Sequence, residues 1–135
     1  MFRLVKILNG RINQGEPVKL PTTAGESYSF GEALVLNGGK LTKCSETKKP
    51  EFICCEDYDA SSTNKKDDIL VEPVSADMIF EAPVSASPTS LVAGAKVTLD
   101  ANGLGVTATT ASGVATVWDL CGASATGDKI QVCFK

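Results

Sequence analysis

Short runs of aliphatic and β-branched residues, separated by glycine- and asparagine-bearing turns, recur along the whole chain. ALVL at 33–36, EFICC at 51–55, DILVEPV at 68–74, AKVTL at 95–99, GVTATT at 105–110, ATVWDL at 115–120 and KIQVCF at 129–134 all have strand length. The last run alternates strictly. Ile130, Val132 and Phe134 fall on one face, and Lys129, Gln131, Cys133 and Lys135 on the other. Val97 and Leu99 alternate with Lys96 and Thr98 in the same way. Between the runs stand Asn9-Gly10, Asn37-Gly38-Gly39, Asn102-Gly103, Ser112-Gly113 and Thr126-Gly127-Asp128, residues that tolerate the positive φ of tight hairpin turns. No stretch of about a dozen residues keeps a 3.6-residue period. The pattern predicts an all-β fold with at most one short helical turn, near 57–62 or 119–125.

The runs are also duplicated. At an offset of 63 residues, Gly31 matches Gly94, Leu34 matches Val97, Leu36 matches Leu99, Asn37 matches Asp100 and Leu41 matches Leu104. ASST at Ala60 matches ASAT at Ala123 at the same offset, which then falls to 61, where Asp67, Ile69 and Val71 match Asp128, Ile130 and Val132. Pro21 matches Pro83 at offset 62. Each copy reads as a glycine turn, a strand, an Asn/Asp-Gly turn, further strands, and a closing D-x-I-x-V strand. Its Asp is placed to accept hydrogen bonds from turn amides. A unit of about 55 residues is marginal alone, so the two copies are expected to share one core. The expected division is an N-terminal arm or first strand at 1–16, a first β repeat at 17–76 and a second at 77–135. Ile69, Val71, Ile130 and Val132 should be buried. The proline-containing stretch 81–94 reads as an extended surface connector, barred from a central strand. The polar stretches 43–51 and 59–68 read as solvated hairpin tips or as partner-binding loops.

Composition narrows the chemistry. The chain has 135 residues, 43% hydrophobic and 21% charged, which are globular values. Its formal charge of −3 argues against a nucleic-acid partner, and no apolar run is long enough to span a membrane. Histidine is absent, which removes the commonest general base, the commonest metal ligand and every Ser–His or Cys–His pair. The five cysteines, Cys44, Cys54, Cys55, Cys121 and Cys133, are odd in number and lack metal-site spacing. They read as reduced, mostly buried small apolar residues of a protein assembled in a reducing compartment. In the FICC run one of Cys54 and Cys55 should point inward. The carboxylates at Glu56, Asp57, Asp59, Asp67 and Asp68 fit no calcium loop. Trp118 is expected in the core or at an interface. The start, MFRLVKILNGRI, intersperses apolar residues with Arg3, Lys6 and Arg11 and lacks the continuous apolar stretch of a signal peptide. The inventory predicts no enzyme, no cofactor and no metal.

GEALVLNGGKLTKC followed by PEFICCED, and VSADMIFEAPV with LVAGAKVTLDANGLGVTATTASGVATV and the terminal GDKIQVCF, resemble the small capsid decoration, or cement, proteins of tailed bacteriophages. The resemblance is most specific in MIFEAPV and in G-D-x-I-x-V. It implies a small β-barrel or β-tulip-like core built from the two repeats. It also implies a homo-oligomer, often a trimer, made in the host cytoplasm and bound to the outside of the virion. There such proteins bridge major capsid protein subunits against internal DNA pressure, and some use an N-terminal arm that adds a strand to a capsid sheet. The corresponding interface here is Phe2, Arg3, Leu4, Val5, Lys6 and Ile7, which combine apolar and basic side chains. The competing expectation is a small β-barrel module binding carbohydrate or peptide.

Overall fold

The computed structural model describes residues 1–8, 16–63 and 66–135. The Asn9-Gly10 turn signal and two residues of the 59–68 loop lie outside them. The fold is all-β. The strands are β1 (Arg3–Ile7), β2 (Val18–Pro21), β3 (Ala33–Asn37), β4 (Lys40–Lys43), β5 (Phe52–Cys54), β6 (Asp68–Pro73), β7 (Met78–Pro83), β8 (Lys96–Val97), β9 (Ala115–Asp119) and β10 (Lys129–Cys133). They form two five-stranded antiparallel sheets, ordered β2-β6-β5-β3-β4 and β1-β7-β10-β9-β8. The chain starts in the second sheet with β1, builds the whole of the first from β2 to β6, and returns to the second at Met78.

The duplicated pattern folds into a duplicated strand order. In the first sheet β2 pairs with β6, placing Leu20 opposite Ile69 and Val18 opposite Val71. In the second, β7 pairs with β10, placing Ala82 opposite Ile130 and Phe80 opposite Val132. The chain just after β2 makes a parallel bridge, Thr22 to Leu41, and the chain just after β7 makes another, Val84 to Val106. The Thr22 amide donates to the Asp67 carbonyl at 3.0 Å, and the Val84 amide to that of Asp128 at 2.9 Å. The Gly31 amide reaches the Cys54 carbonyl at 2.7 Å, and the Gly94 amide that of Val117 at 2.8 Å. The first sheet therefore curls so that its end strands β2 and β4 nearly meet, while in the second Val106 bridges the chain after β7 to Leu99 beyond β8, leaving β1 outside; neither sheet closes into a barrel.

Alternation divides the core. Leu34, Leu41, Cys54, Ile69, Val71 and Tyr28 fill the concavity of the first sheet. Ala33, Val35 and Ile53, from the opposite face of β3 and β5, join Phe80, Ala82, Val97, Leu99, Val117, Ile130, Val132 and Phe134 in one larger cluster. That cluster holds the two repeats together. Ile69, Val71, Ile130 and Val132 are all buried, as their repetition predicts. The β3–β4 hairpin turns on Gly38 and Gly39, both at positive φ, the two-residue geometry whose twist matches paired strands. Asp128 behaves as expected of the repeat: its Oδ2 accepts from the amides of Ser124 and Ala125 at 2.8 Å, which holds its carboxyl below the usual carboxylate range.

Two expectations give way and a third is narrowed. Residues 81–83 are not a surface connector but the end of β7, an interior strand between β1 and β10. Proline is accommodated because Pro83 is the last residue of the ladder, and its carbonyl still accepts from Val106. The only helical turn among the described residues is a 3₁₀ turn at Pro88–Ser90, not near 57–62 or 119–125. Proline's fixed φ suits the first position of such a turn. Of the two places expected for Trp118, core or interface, the structure excludes the core. β9 gains one residue against β10 there, Val117 facing Val132 and Asp119 facing Gln131. The bulge leaves the indole exposed, with the Lys135 ammonium 5.0 Å from its centre.

Candidate functional site

Five of the six predicted interface residues form β1, a strand with two unlike faces, and Phe2 directly precedes it. Phe2 is 2% exposed and sits edge-on to Phe80 and Phe134, with ring centres 6.5 and 5.5 Å away. Leu4 lies opposite Phe80 and Ile7 opposite Met78, both packed on the shared core. Arg3 and Lys6 are exposed, and Val5 is 37% exposed at a bulge between Leu4 and Lys6. Arg3 Nη2 lies 3.1 Å from Glu81 Oε1, the same oxygen that Lys129 Nζ approaches at 3.0 Å. The hydrogen bond from Lys129, with the charge of Arg3 beside it, holds the Glu81 carboxyl below its ordinary value. Residues 3–7 are thus an integral strand of the second sheet. β1 is the sheet's last strand, with β7 on one side and, among the described residues, no strand on the other.

The start of β1 is locked to the first repeat by a glycine. The Phe2 amide donates to the Gly31 carbonyl at 2.9 Å. Gly31 has φ +78°, and a Cβ there would stand 2.6 Å from Met1 Cβ and 3.0 Å from the Phe2 carbonyl oxygen. Its repeat partner Gly94 shares the positive φ, at +88°, but has open space around it. Burial at this junction lowers the pKa of the Met1 ammonium.

Beside β1 a cleft of about 290 Å³ opens between the two sheets. Phe2, Leu4, Phe80 and Ile53 give it apolar walls, Phe30, Cys54 and Cys55 line the side of the first repeat, and Arg3 and Glu72 supply charge. Phe30 is 47% exposed, although it is a large aromatic residue. Of the adjacent cysteines, Cys54 points into the core of the first sheet and Cys55 toward the cleft. Burial, and then the Glu72 carboxylate, push the Cys55 thiol pKa up, so it is a poor nucleophile at neutral pH. Sequence reasoning missed Phe30, Cys55 and Glu72 as a group. The only local signals were one aromatic in the polar run ESYSFGE and one acid inside DILVEPV.

A second cleft, of about 260 Å³, has mixed walls and lies at the end of the first sheet, lined by Pro21, Thr22, Ala24, Lys40, Tyr58 and Asp67. Tyr58 stacks on Tyr28 at 5.8 Å, and the Tyr28 hydroxyl donates to the Leu41 carbonyl at 2.8 Å. Burial pushes the Tyr28 hydroxyl up to about 12. The buried Glu32 is structural: Oε2 accepts from the Ser29 amide at 2.8 Å, and Oε1 pairs with Lys43 Nζ at 3.3 Å. All five cysteines are free thiols. Among the described residues, no three His, Cys, Asp or Glu side chains converge to hold a metal ion, and no helix is long and apolar enough to cross a membrane.

No protein-family model matches the chain, and no curated protein matches it.

Proposed function

We propose that this protein is a structural component of a bacteriophage particle, a decoration or cement protein that binds the outside of the head and bridges major capsid subunits. One observation carries the reading. The two segments most like decoration proteins, MIFEAPV and GDKIQV, are the hydrogen-bonded neighbours β7 and β10, and β7 presents β1 at the sheet edge. The family-like residues thus build the platform that displays the predicted interface. Its duplicated, tightly packed β unit offers rigid surface, which suits a protein repeated many times over a lattice, where avidity lets each contact be weak. On this reading the chain is made in the host cytoplasm, works as a homo-oligomer, expected to be a trimer, and has no catalytic step, cofactor, nucleic-acid partner or membrane partner.

The test is sedimentation with expanded, undecorated heads. Saturable co-sedimentation and a higher melting temperature of the heads are expected. Heads that neither bind the intact protein nor gain stability from it reject the proposal. A second reading, a carbohydrate- or peptide-binding module, draws on the second cleft, where Tyr58, Lys40 and Asp67 stand beside Pro21 and Ala24. Saturable binding to a glycan or peptide panel, without binding to heads, favours that alternative.

A further inference from the structure

The duplication shows one place in the fold twice, sealed in one copy and open in the other. In each copy a strand ends in proline, Pro21 in β2 and Pro83 in β7, and the next residue makes a parallel bridge. In the second copy this place is shut. Val84 is fully buried, and Gly105, just before the bridged Val106, lies so close that a Cβ there would stand 2.5 Å from the Pro83 carbonyl oxygen. The Asp128 carboxylate is already engaged by the Ser124 and Ala125 amides. In the first copy the same place is the cleft of about 260 Å³. Thr22 stands where the second copy has Val84, and Lys40, just before the bridged Leu41, stands where it has Gly105. Asp67 takes the place of Asp128, and among the described residues no donor reaches its carboxylate. Lys40 likewise has no carboxylate within ion-pairing distance among them.

The walls suit a small ring that is apolar on its face and polar at its rim. Pro21, Ala24 and the Tyr58 ring are apolar, and Lys40 and Asp67 bring the charges. Tyr28 stacks on Tyr58 and fixes its ring. The Thr22 hydroxyl lies 3.4 Å from both the Tyr58 hydroxyl oxygen and the Asp67 carbonyl, so the Tyr58 hydroxyl keeps its own proton to donate. A carboxylate accepts from neighbouring hydroxyls, an ammonium and a phenol donate to hydroxyl or ring oxygens, and an aromatic face packs on C–H groups. One positive and one negative group favour a neutral ligand over an ion of either sign. The volume, below the roughly 300–1,000 Å³ of larger ligand sites, holds one such ring. We infer that this cleft binds one unit of a neutral saccharide. Asp67 accepts from its hydroxyls, Lys40 and Tyr58 donate to its oxygens, and Pro21 and the Tyr58 ring meet its C–H face. The inference rests on the ligand-binding reading and gives it a ligand class and residues. The cleft shares no lining residue with the one beside β1, so the inference neither needs nor excludes attachment to a head.

Amide chemical shifts of the isotope-labelled protein, titrated with methyl glycosides of the common hexoses, pentoses and N-acetylhexosamines, read the site without any variant. At least one glycoside is expected to give saturable shifts confined to the surroundings of Pro21, Thr22, Lys40, Tyr58 and Asp67, with half-saturation at about 1 mM. Asp67→Asn, which keeps the side chain's size, and Lys40→Met, which keeps its length, are each expected to weaken that binding about tenfold with melting temperatures close to the parent. Asp128→Asn, at the sealed place in the second copy, is expected to leave it unchanged. Glycosides that give no saturable shifts at these residues, or that bind both cleft variants as tightly as the parent, overturn the inference. Saturable binding of a short peptide at the same residues, with no glycoside bound, overturns the inference and leaves the ligand-binding reading standing. Failure of glycosides and peptides alike rejects both.

Discussion

At the scale of single residues, the repeat provides its own controls. Gly31 and Gly94 occupy the same place in the two copies and share a positive φ, but only Gly31 has Met1 and Phe2 pressed against it. Gly94→Ala should cost the left-handed backbone penalty alone, about 1–2 kcal/mol. Gly31→Ala adds a collision with main chain and should cost distinctly more, a difference that paired urea denaturation curves measure. The thiols make a second prediction. Burial raises the pKa values of Cys44 and Cys54 from 9.0 to about 11. The folded chain holds these two protons more tightly than the unfolded chain does. The stabilisation is complete below pH 9 and is lost as the pH rises toward 11. The melting temperature is expected to stay level through neutral pH and fall across that alkaline window. The fall should be shallower in a Cys44→Ala/Cys54→Ala variant.

At the scale of elements, the value of a strand depends on where its alternate side chains go. Ile130→Ala empties a fully buried position in β10 and should cost roughly 2–5 kcal/mol. Phe2→Ala should cost about as much as any core aromatic, roughly 3–5 kcal/mol, because β1 is anchored through that ring. Chemical denaturation of the two variants checks both values, and an inexpensive Phe2→Ala would mean that β1 is a detachable arm after all. The D-x-I-x-V strands were legible in the sequence because strict alternation declares both a strand and its buried face. β1 was legible only as a strand or an arm, since five residues with two charges fix no period. β7 was misread at its end because proline signals an edge or a break, whereas Pro83 needs no amide at the last rung. The bulge that turns Trp118 outward left no mark in ATVWDL. The cleft was illegible for a different reason: Leu4, Phe30, Cys55 and Phe80 come from both repeats and meet only once the sheets pack.

At the scale of the whole molecule, the two repeats are unequal partners. The first has a small core of its own, but Ala33, Val35 and Ile53 on its other face belong to the shared cluster. A fragment of residues 18–74 would expose that face to water. It is expected to lack the cooperative thermal transition of the intact chain, which should unfold in one step by calorimetry. A fragment that melts sharply alone would show that the repeats are separate folding units. One contact described above also sets an order of events during synthesis. The rings of Phe2 and Phe134, far apart in sequence, lie with their centres 5.5 Å apart in the same cluster. Synthesis delivers Phe2 long before Phe134, so the shared cluster cannot be completed while residue 134 is still inside the ribosomal exit tunnel. Until then the growing chain carries the apolar face of its first repeat uncovered. The interval before residue 134 emerges is therefore when these chains are most exposed to sticking to one another.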